Sequence, residues 1–215
     1  MNAEESQMLP NWLAWAQQIQ AIAQSGLTFS RDIYDIERYE HLRRLAAEMM
    51  AAGTDGDVEQ IVGVFTAQTG YATPKVDVRG VVFREDGKLL LVKERSDMRW
   101  TLPGGWCDVG ESPAENVVKE VFEESGFLTR AVKLLAVYDN HRHPHEPRNP
   151  FQTYKLMFRC EIVGGEATAG VETAVVDFFA EHEIPANLSR GRVTDQQIAR
   201  VFAHYHHPEW STDFD

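Results

Sequence analysis

The chain has 215 residues, a hydrophobic fraction of 43% and a formal net charge of -12. A chain of this length buries about 70% of its unfolded surface, so its core needs no disulfide or structural metal. The acidic balance argues against a nucleic-acid-binding surface, which needs clustered Lys and Arg. No apolar run approaches membrane length, and the first residues lack the apolar segment of a signal peptide. We therefore expect a cytoplasmic protein that binds neither nucleic acid nor membrane.

The first third of the chain has the spacing of amphipathic helices, with apolar residues every three or four positions. Gly26 is expected to end the first helix, and the second is expected to begin near Ser30 or Asp32. A third helix is expected to end at Gly70. These features predict a small all-helical domain over residues 1–72.

The rest of the chain, residues 73–215, changes to β-branched and leucine-rich runs. Asp86-Gly87 between two such runs predicts a β-hairpin. Thr194 begins a capping box for a last helix. Strands around helices indicate an α+β sandwich for this domain. The predicted strands are residues 76–83, 89–92, 100–102, 132–138, 154–162 and 175–179.

An acidic helix lies between the third and fourth of these strands. Ser112 can cap its N-terminus, and Gly126 occupies the position where a left-handed residue ends a helix. Glu120, Glu123 and Glu124 stand at i, i+3 and i+4, so their side chains share one sector of the helix. Apolar residues occupy a different sector. The helix therefore has a core face and a carboxylate face.

Two interpretations of the carboxylate face are open. It can be a solvated acidic surface, which is the usual reason for such a run. It can also be a site for a divalent cation, because Mg²⁺ and Mn²⁺ prefer clustered carboxylate oxygens and relieve their repulsion. The tight loop of residues 102–106 (LPGGW) favours the cation, because glycine lets the backbone approach a ligand closely.

Residues 105–127 resemble the Nudix box, G-x5-E-x7-R-E-U-x-E-E-x-G-U, where U is a bulky apolar residue. Lys119 is the one departure, since the family usually has arginine there. The resemblance implies a Nudix-type α/β/α sandwich and a hydrolase that cuts the diphosphate of a nucleoside diphosphate derivative with water. The matching positions are Gly105, Glu111, Glu120, Val121, Glu123, Glu124, Gly126 and Phe127.

The resemblance also implies roles for the glutamates. Glu120 and Glu124 become metal ligands, and Glu123 becomes a third ligand or the general base. Glu111 would orient this group through Lys119, although a lysine cannot form the bidentate contact of an arginine. The implied cofactor is Mg²⁺ or Mn²⁺.

Two further metal contacts are expected from the same resemblance. The Gly104 carbonyl can reach the metal, and Nudix enzymes often add a carboxylate from a late loop. Glu172 is our choice for that carboxylate over Glu166, against the alternative that both are plain surface acids.

Substrate contacts are expected from three cations and one indole. Arg79, with Lys93 or Arg95, can contact phosphate or can be a solvated cation at a strand edge. Trp106 follows the glycine pair, so its ring is expected near the diphosphate. The loop of residues 141–145 (HRHPH) has no recognised metal-ligand spacing and can contact substrate or lie in solvent.

The helical N-terminal segment is similar to a Nudix branch that includes bacterial CDP-choline pyrophosphatases and is dimeric. This resemblance implies CDP-choline as the first substrate, cleaved to CMP and phosphocholine, with ADP-ribose as the alternative. Residues 11–70 also have apolar stripes, and a three-helix segment this short rarely buries enough surface to be stable alone. We therefore expect this segment to form a homodimer that helps to close the active site. An alternative of another class is a Nudix-fold sensor or scaffold without turnover, which the intact set of glutamates argues against.

Overall fold

The computed structural model describes residues 11–143, 145–146 and 149–215, which form two units. The first unit holds the described residues up to Pro74 together with Pro150–Gln152. The second unit holds Lys75–Asn149, apart from the residues not described, and Thr153–Asp215.

Three helices make the first unit: α1 (Asn11–Phe29), α2 (Ile33–Thr54) and α3 (Val58–Thr66). Asp32 caps α2, because its side chain accepts the backbone N–H groups of Tyr34 and Asp35. The small core of this unit is apolar and consists of Leu13, Ala16, Ala46, Ala47, Met50 and Phe65.

Two helix ends differ from the sequence-based expectation. The first helix continues through Gly26 to Phe29. A Cβ at Gly26 would lie 2.4 Å from the Tyr39 ring, so the glycine serves close packing between α1 and α2. The third helix ends at Thr66, and Gly70 takes a left-handed φ of +83° in the segment that follows.

Among its described residues the second unit contains two sheets and two α-helices, which agrees with the α+β prediction. The larger sheet has the order β1-β5-β4-β7 and the smaller one β3-β2-β6. The elements are β1 (Lys75–Val82), β2 (Leu89–Glu94), β3 (Trp100–Thr101), α4 (Pro113–Ser125), β4 (Phe127–Asp139), β5 (Thr153–Gly165), β6 (Thr173–Phe179), α5 (Asp195–His206) and β7 (Asp213–Phe214).

The predicted hairpin at Asp86-Gly87 is wrong in its pairing. The turn forms, and Arg84 N donates to Lys88 O over 2.9 Å. Pairing between the flanking strands stops at a single bridge from Phe83 to Leu89, because β1 joins β5 in one sheet and β2 joins β6 in the other. The turn therefore connects the two sheets.

The helix α4 packs on β1 across a glycine. A Cβ at Gly80 would lie 2.3 Å from a methyl of Val121, so only glycine lets the helix approach this closely. Val117 and Val121, on the inner face of this helix, are fully buried. This packing fixes the opposite, acidic face of α4 relative to β1.

Within the described part of the chain, no helix combines the length and apolar character needed to cross a bilayer.

Candidate active site

The loop between β3 and α4 pairs with the edge of β1 that β5 leaves open. Val78 N donates to Gly105 O over 2.9 Å, and Gly80 N donates to Pro103 O over 2.8 Å. Gly104 stands between these two paired carbonyls. We call residues 102–106 the catalytic loop.

Gly104 has a backbone conformation that excludes other residues. Its φ is +142°, and a Cβ there would lie 2.0 Å from Val78 O. Its N–H donates to Glu124 Oε2 over 3.0 Å, which joins the catalytic loop to the acidic helix. The predicted Gly104 contact to a metal is therefore compatible with the position of this residue.

The acidic helix forms as its sequence predicts. Ser112 and Glu115 make a reciprocal capping box, and Gly126 ends the helix with φ +76°. The three glutamates differ in environment: Glu124 is buried, Glu120 is half-buried and Glu123 is exposed.

Burial makes two of these carboxylates hard to ionise in the absence of a cation. It raises the pKa of Glu124 to about 8, and the charges of Glu94 and Glu120 add to this shift. Burial also raises the pKa of Glu120 to about 7, with further contributions from Glu123 and Glu172, while Arg79 opposes both shifts. A cation beside these two carboxylates would therefore favour their ionised forms.

Lys119 contacts Glu111, as expected, but its shorter contact is to another residue. Its Nζ lies 3.5 Å from Glu111 Oε1 and 2.8 Å from Asp108 Oδ2. Lys119 therefore pairs with two carboxylates, those of Asp108 and Glu111. A lysine cannot form the bidentate contact that an arginine would make with one carboxylate.

The late loop before β6 is tied to the C-terminal end of α4. Thr173 Oγ1 donates to Glu124 O over 2.7 Å, and Thr168 N donates to Ser125 O over 2.9 Å. This anchoring brings Glu172 near enough for its charge to raise the pKa of both Glu120 and Glu94. The choice of Glu172 over Glu166 stays a prediction with this support.

The four predicted substrate contacts lie in different environments. Arg79 is buried and bonded to Asp77, so it is no solvated strand-edge cation. Lys93 Nζ lies 5.9 Å from the centre of the Trp100 ring. Arg95 is exposed, and its backbone N donates to Glu172 O over 2.8 Å. Trp106 is half exposed, and its backbone pairs with Asp77.

Sequence reasoning missed Glu94, a buried carboxylate near the site. Burial raises its pKa, and Arg192 Nε lies 3.5 Å from its Oε1. Leu90, Val92 and Glu94 alternate along β2 and share one face of the strand. The signal in the sequence was a glutamate at the next alternate position after the apolar residues Leu90 and Val92.

The histidine loop holds the fold together at two points. His145 is buried, with its Nδ1 3.0 Å from Arg190 O and its Nε2 3.3 Å from Gln197 Nε2. His143 Nε2 lies 3.1 Å from Asp215 Oδ1. Both rings have protein partners, whereas the side chain of Arg142 is exposed.

The residues present fit a hard divalent cation. Glycine at residue 105 lets the backbone approach Glu120 closely, because a Cβ there would lie 2.9 Å from Glu120 Oε1. Carboxylate and carbonyl oxygens are the donors that Mg²⁺ and Mn²⁺ prefer. Among the described residues, no three His, Cys, Asp or Glu side chains meet the geometry of a formed metal site. Glu120, Glu124 and the Gly104 carbonyl are the groups that would hold the ion.

A pH-dependent stability follows from Glu124. Its pKa in the fold, about 8, exceeds the ordinary 4.5. Between these values the native state holds a proton that the unfolded state has lost, so the free energy of unfolding falls as pH rises. We expect the metal-free wild type to lose stability relative to Glu124→Gln from pH 5 to pH 8 in thermal unfolding. Mg²⁺ should remove this loss. A pH-independent difference would show that Glu124 ionises normally in the fold.

Comparisons with known proteins identify the family of this chain. The model of the NUDIX domain matches residues 73–202, and a model described as a UDP-X-like N-terminal oligomerisation domain matches residues 10–65. The chain is 50% identical over 204 residues to YjhB of Bacillus subtilis (strain 168), provisionally named an ADP-ribose pyrophosphatase; the alignment covers 95% of this chain and 97% of YjhB.

Two solved structures are similar as well. An ADP-ribose pyrophosphatase of Streptococcus suis 89-1591 shares 40% identity at a TM-score of 0.59, over 66% of this chain and 100% of that one. A UDP-X diphosphatase shares 36% identity at a TM-score of 0.61, over 95% and 98%. The chain therefore belongs to the Nudix family. It is a Nudix hydrolase with a helical N-terminal domain, which confirms the predicted family and fold.

Proposed function

We propose that this protein is a divalent-metal-dependent pyrophosphohydrolase that cleaves ADP-ribose to AMP and ribose 5-phosphate. The observation that carries the proposal is the half-identical match to YjhB along nearly its whole length. The site supplies the matching chemistry, because Glu120 lies against Gly105 and Glu124 accepts the Gly104 N–H on a loop held by β1.

Each side chain of the site has its own proposed role in hydrolysis. A Mg²⁺ or Mn²⁺ ion bound here would neutralise diphosphate oxygens and lower the pKa of a bound water. Glu120 and Glu124 would hold such an ion, and the Gly104 N–H keeps Glu124 oriented. Glu123, exposed at the rim of the same face, accepts the proton of the attacking water. Asp108 and Glu111, which precede α4, pair with the Lys119 side chain of that helix.

The comparisons favour ADP-ribose over CDP-choline, our first expectation from the sequence. The similar proteins are named for ADP-ribose and UDP-X, and none of those compared above is named for CDP-choline. CDP-choline and UDP-sugars share the diphosphate that the glutamates would act on. They therefore serve as competitors in the test of the proposal.

The test is a comparison of kcat/KM for ADP-ribose, UDP-glucose and CDP-choline at saturating Mg²⁺ and again with Mn²⁺. We expect ADP-ribose to have the largest value, with AMP as the nucleotide product. A larger value for another of the three would replace ADP-ribose as the substrate while keeping the reaction. Absence of turnover on all three would contradict the proposal.

We propose further that the chain forms a homodimer through its helical domain. Large apolar side chains are exposed there, with Phe29 68% and Ile33 73% exposed. A groove of about 660 Å³ adjoins them, lined by Ile22, Phe29, Tyr39 and Tyr71 among others. Exposed apolar surface of this kind favours self-association. The match to an oligomerisation domain supports a second copy as the occupant. Closure of the active site by this domain and a cytoplasmic location stay predictions.

Light scattering at micromolar concentration checks the dimer. We expect the wild type to be dimeric and a Phe29→Asp, Ile33→Asp double variant to be monomeric, because the charges would be buried unpaired. Val163→Asp, at an apolar position 64% exposed on β5, is the control and should stay dimeric. A monomeric wild type would remove the homodimer, and a dimeric double variant would move the interface elsewhere.

A further inference from the structure

Three charged side chains are buried together beneath the catalytic loop. Asp77, Arg79 and Lys155 are each 5% exposed or less. Arg79 Nε and Nη2 donate to the two oxygens of Asp77 over 2.9 and 2.7 Å. Lys155 Nζ donates to Asp77 Oδ1 over 2.9 Å. Two cations therefore share one carboxylate, which leaves a surplus positive charge.

The register of β1 and β5 creates this group. Asp77 stands directly opposite Lys155 in the parallel pair, and Arg79 lies two residues further on the same face of β1. The sequence separates Lys155 widely from the other two residues, so only the pairing of the strands brings it here.

The group holds the catalytic loop at both ends. Arg79 Nη1 donates to Leu102 O over 3.2 Å, where the loop begins. The backbone of Asp77 pairs with that of Trp106, where the loop ends. Gly104, whose N–H reaches Glu124, lies between these two anchors.

Stability alone is a poor reason to bury these charges. Replacing a buried ionic group by apolar residues is often neutral or stabilising, because desolvation cancels much of the attraction. The surplus charge also has partners on the catalytic side. Although burial opposes it, the carboxylates of Asp77, Glu124 and Glu94 raise the pKa of Arg79.

We propose that Asp77 and Lys155 are positioning residues that hold Arg79 against Leu102 and so fix the catalytic loop for metal binding and hydrolysis. Asp77 sets the direction of the guanidinium, and Lys155 keeps the Asp77 carboxylate in place. Three of the five N–H donors of Arg79 are used in this way. Neither Asp77 nor Lys155 lies in the segment that carries the glutamates.

The test uses Asp77→Asn and Lys155→Met in the full-length protein. Asn keeps the shape of Asp77 but cannot hold two cations, whereas Met leaves a neutral Asp77–Arg79 pair. Glu161→Gln is the control. It breaks an exposed ion pair between Glu161, in the part of β5 far from Lys155, and Arg130 on β4. The readouts are the Mn²⁺ Kd from electron paramagnetic resonance, kcat and KM for ADP-ribose, and circular dichroism.

We expect Asp77→Asn to weaken Mn²⁺ binding and lower kcat by about tenfold or more, as substitutions behind a metal site do. KM should change less than kcat, because Asp77 is buried and the proposal gives it no contact with substrate. Lys155→Met should change the Mn²⁺ Kd and kcat in the same direction by at least about threefold. A purely structural group would lower the melting temperature and leave both constants of the folded protein unchanged.

The outcome is decided on variants that fold. If Asp77→Asn does not fold, Lys155→Met decides alone. A change of less than threefold in the Mn²⁺ Kd of the folded variants overturns the proposal. The kcat measurement rests on the proposed function, but Mn²⁺ binding does not depend on the substrate. Failure of ADP-ribose hydrolysis in the wild type is therefore distinguishable from failure of the positioning role.

Discussion

Glu123→Gln and Glu124→Gln are each expected to lower kcat for ADP-ribose by about a hundredfold or more. Glutamine keeps the size of the side chain but removes the charge that binds a cation or accepts a proton. Glu124 has the further role of accepting the Gly104 N–H, which the glutamine oxygen can still do. The fold should therefore survive, and the measurement is initial rate at saturating Mg²⁺.

Glu115→Gln is the matched control for this pair. It makes the same chemical change on the same helix, and a glutamine completes a capping box as well as a glutamate does. Its kcat and melting temperature should stay close to those of the wild type. Near-normal turnover of either the Glu123 or the Glu124 variant would show that the role of that residue is wrongly assigned.

Gly104→Ala is expected to abolish measurable turnover and to lower the free energy of unfolding by about 2 kcal/mol or more. The added Cβ would lie 2.0 Å from Val78 O, and the φ of +142° disfavours any side chain. The catalytic loop must then leave β1, which withdraws the Gly104 N–H from Glu124. Rates and urea unfolding measure the two effects.

Gly63→Ala controls for the chemistry of the substitution. Gly63 lies inside α3, and a Cβ there meets no atom within 4 Å. Alanine should stabilise this helix by up to about 1 kcal/mol and leave turnover unchanged. If Gly104→Ala behaves like Gly63→Ala, the catalytic loop does not depend on its glycine.

The acidic helix could be predicted from the sequence because its signals are local. These signals are its cap, its Pro in the first turn, its terminal glycine and its two faces. All of them lie between Ser112 and Gly126, so short-range geometry is enough to predict the helix. The glutamates that share one sector followed directly from the helical period.

Features that depend on tertiary pairing could not be predicted in this way. The Asp86-Gly87 signal describes a turn, but it does not say that the two strands join different sheets. A glycine such as Gly26 is typical of a helix end. Here the ring of Tyr39 on α2 requires a glycine inside the first helix. Lys155 reaches Asp77 only through the register of a parallel pair.

The most direct test of the account is chromatographic product analysis of ADP-ribose incubated with the protein, with Mg²⁺ and with EDTA. We predict equal amounts of AMP and ribose 5-phosphate with Mg²⁺, no cleavage with EDTA, and no detectable products from Glu124→Gln over the same time. Cleavage that is as fast in EDTA, or products other than the two monophosphates, would contradict the metal-dependent pyrophosphohydrolase described here.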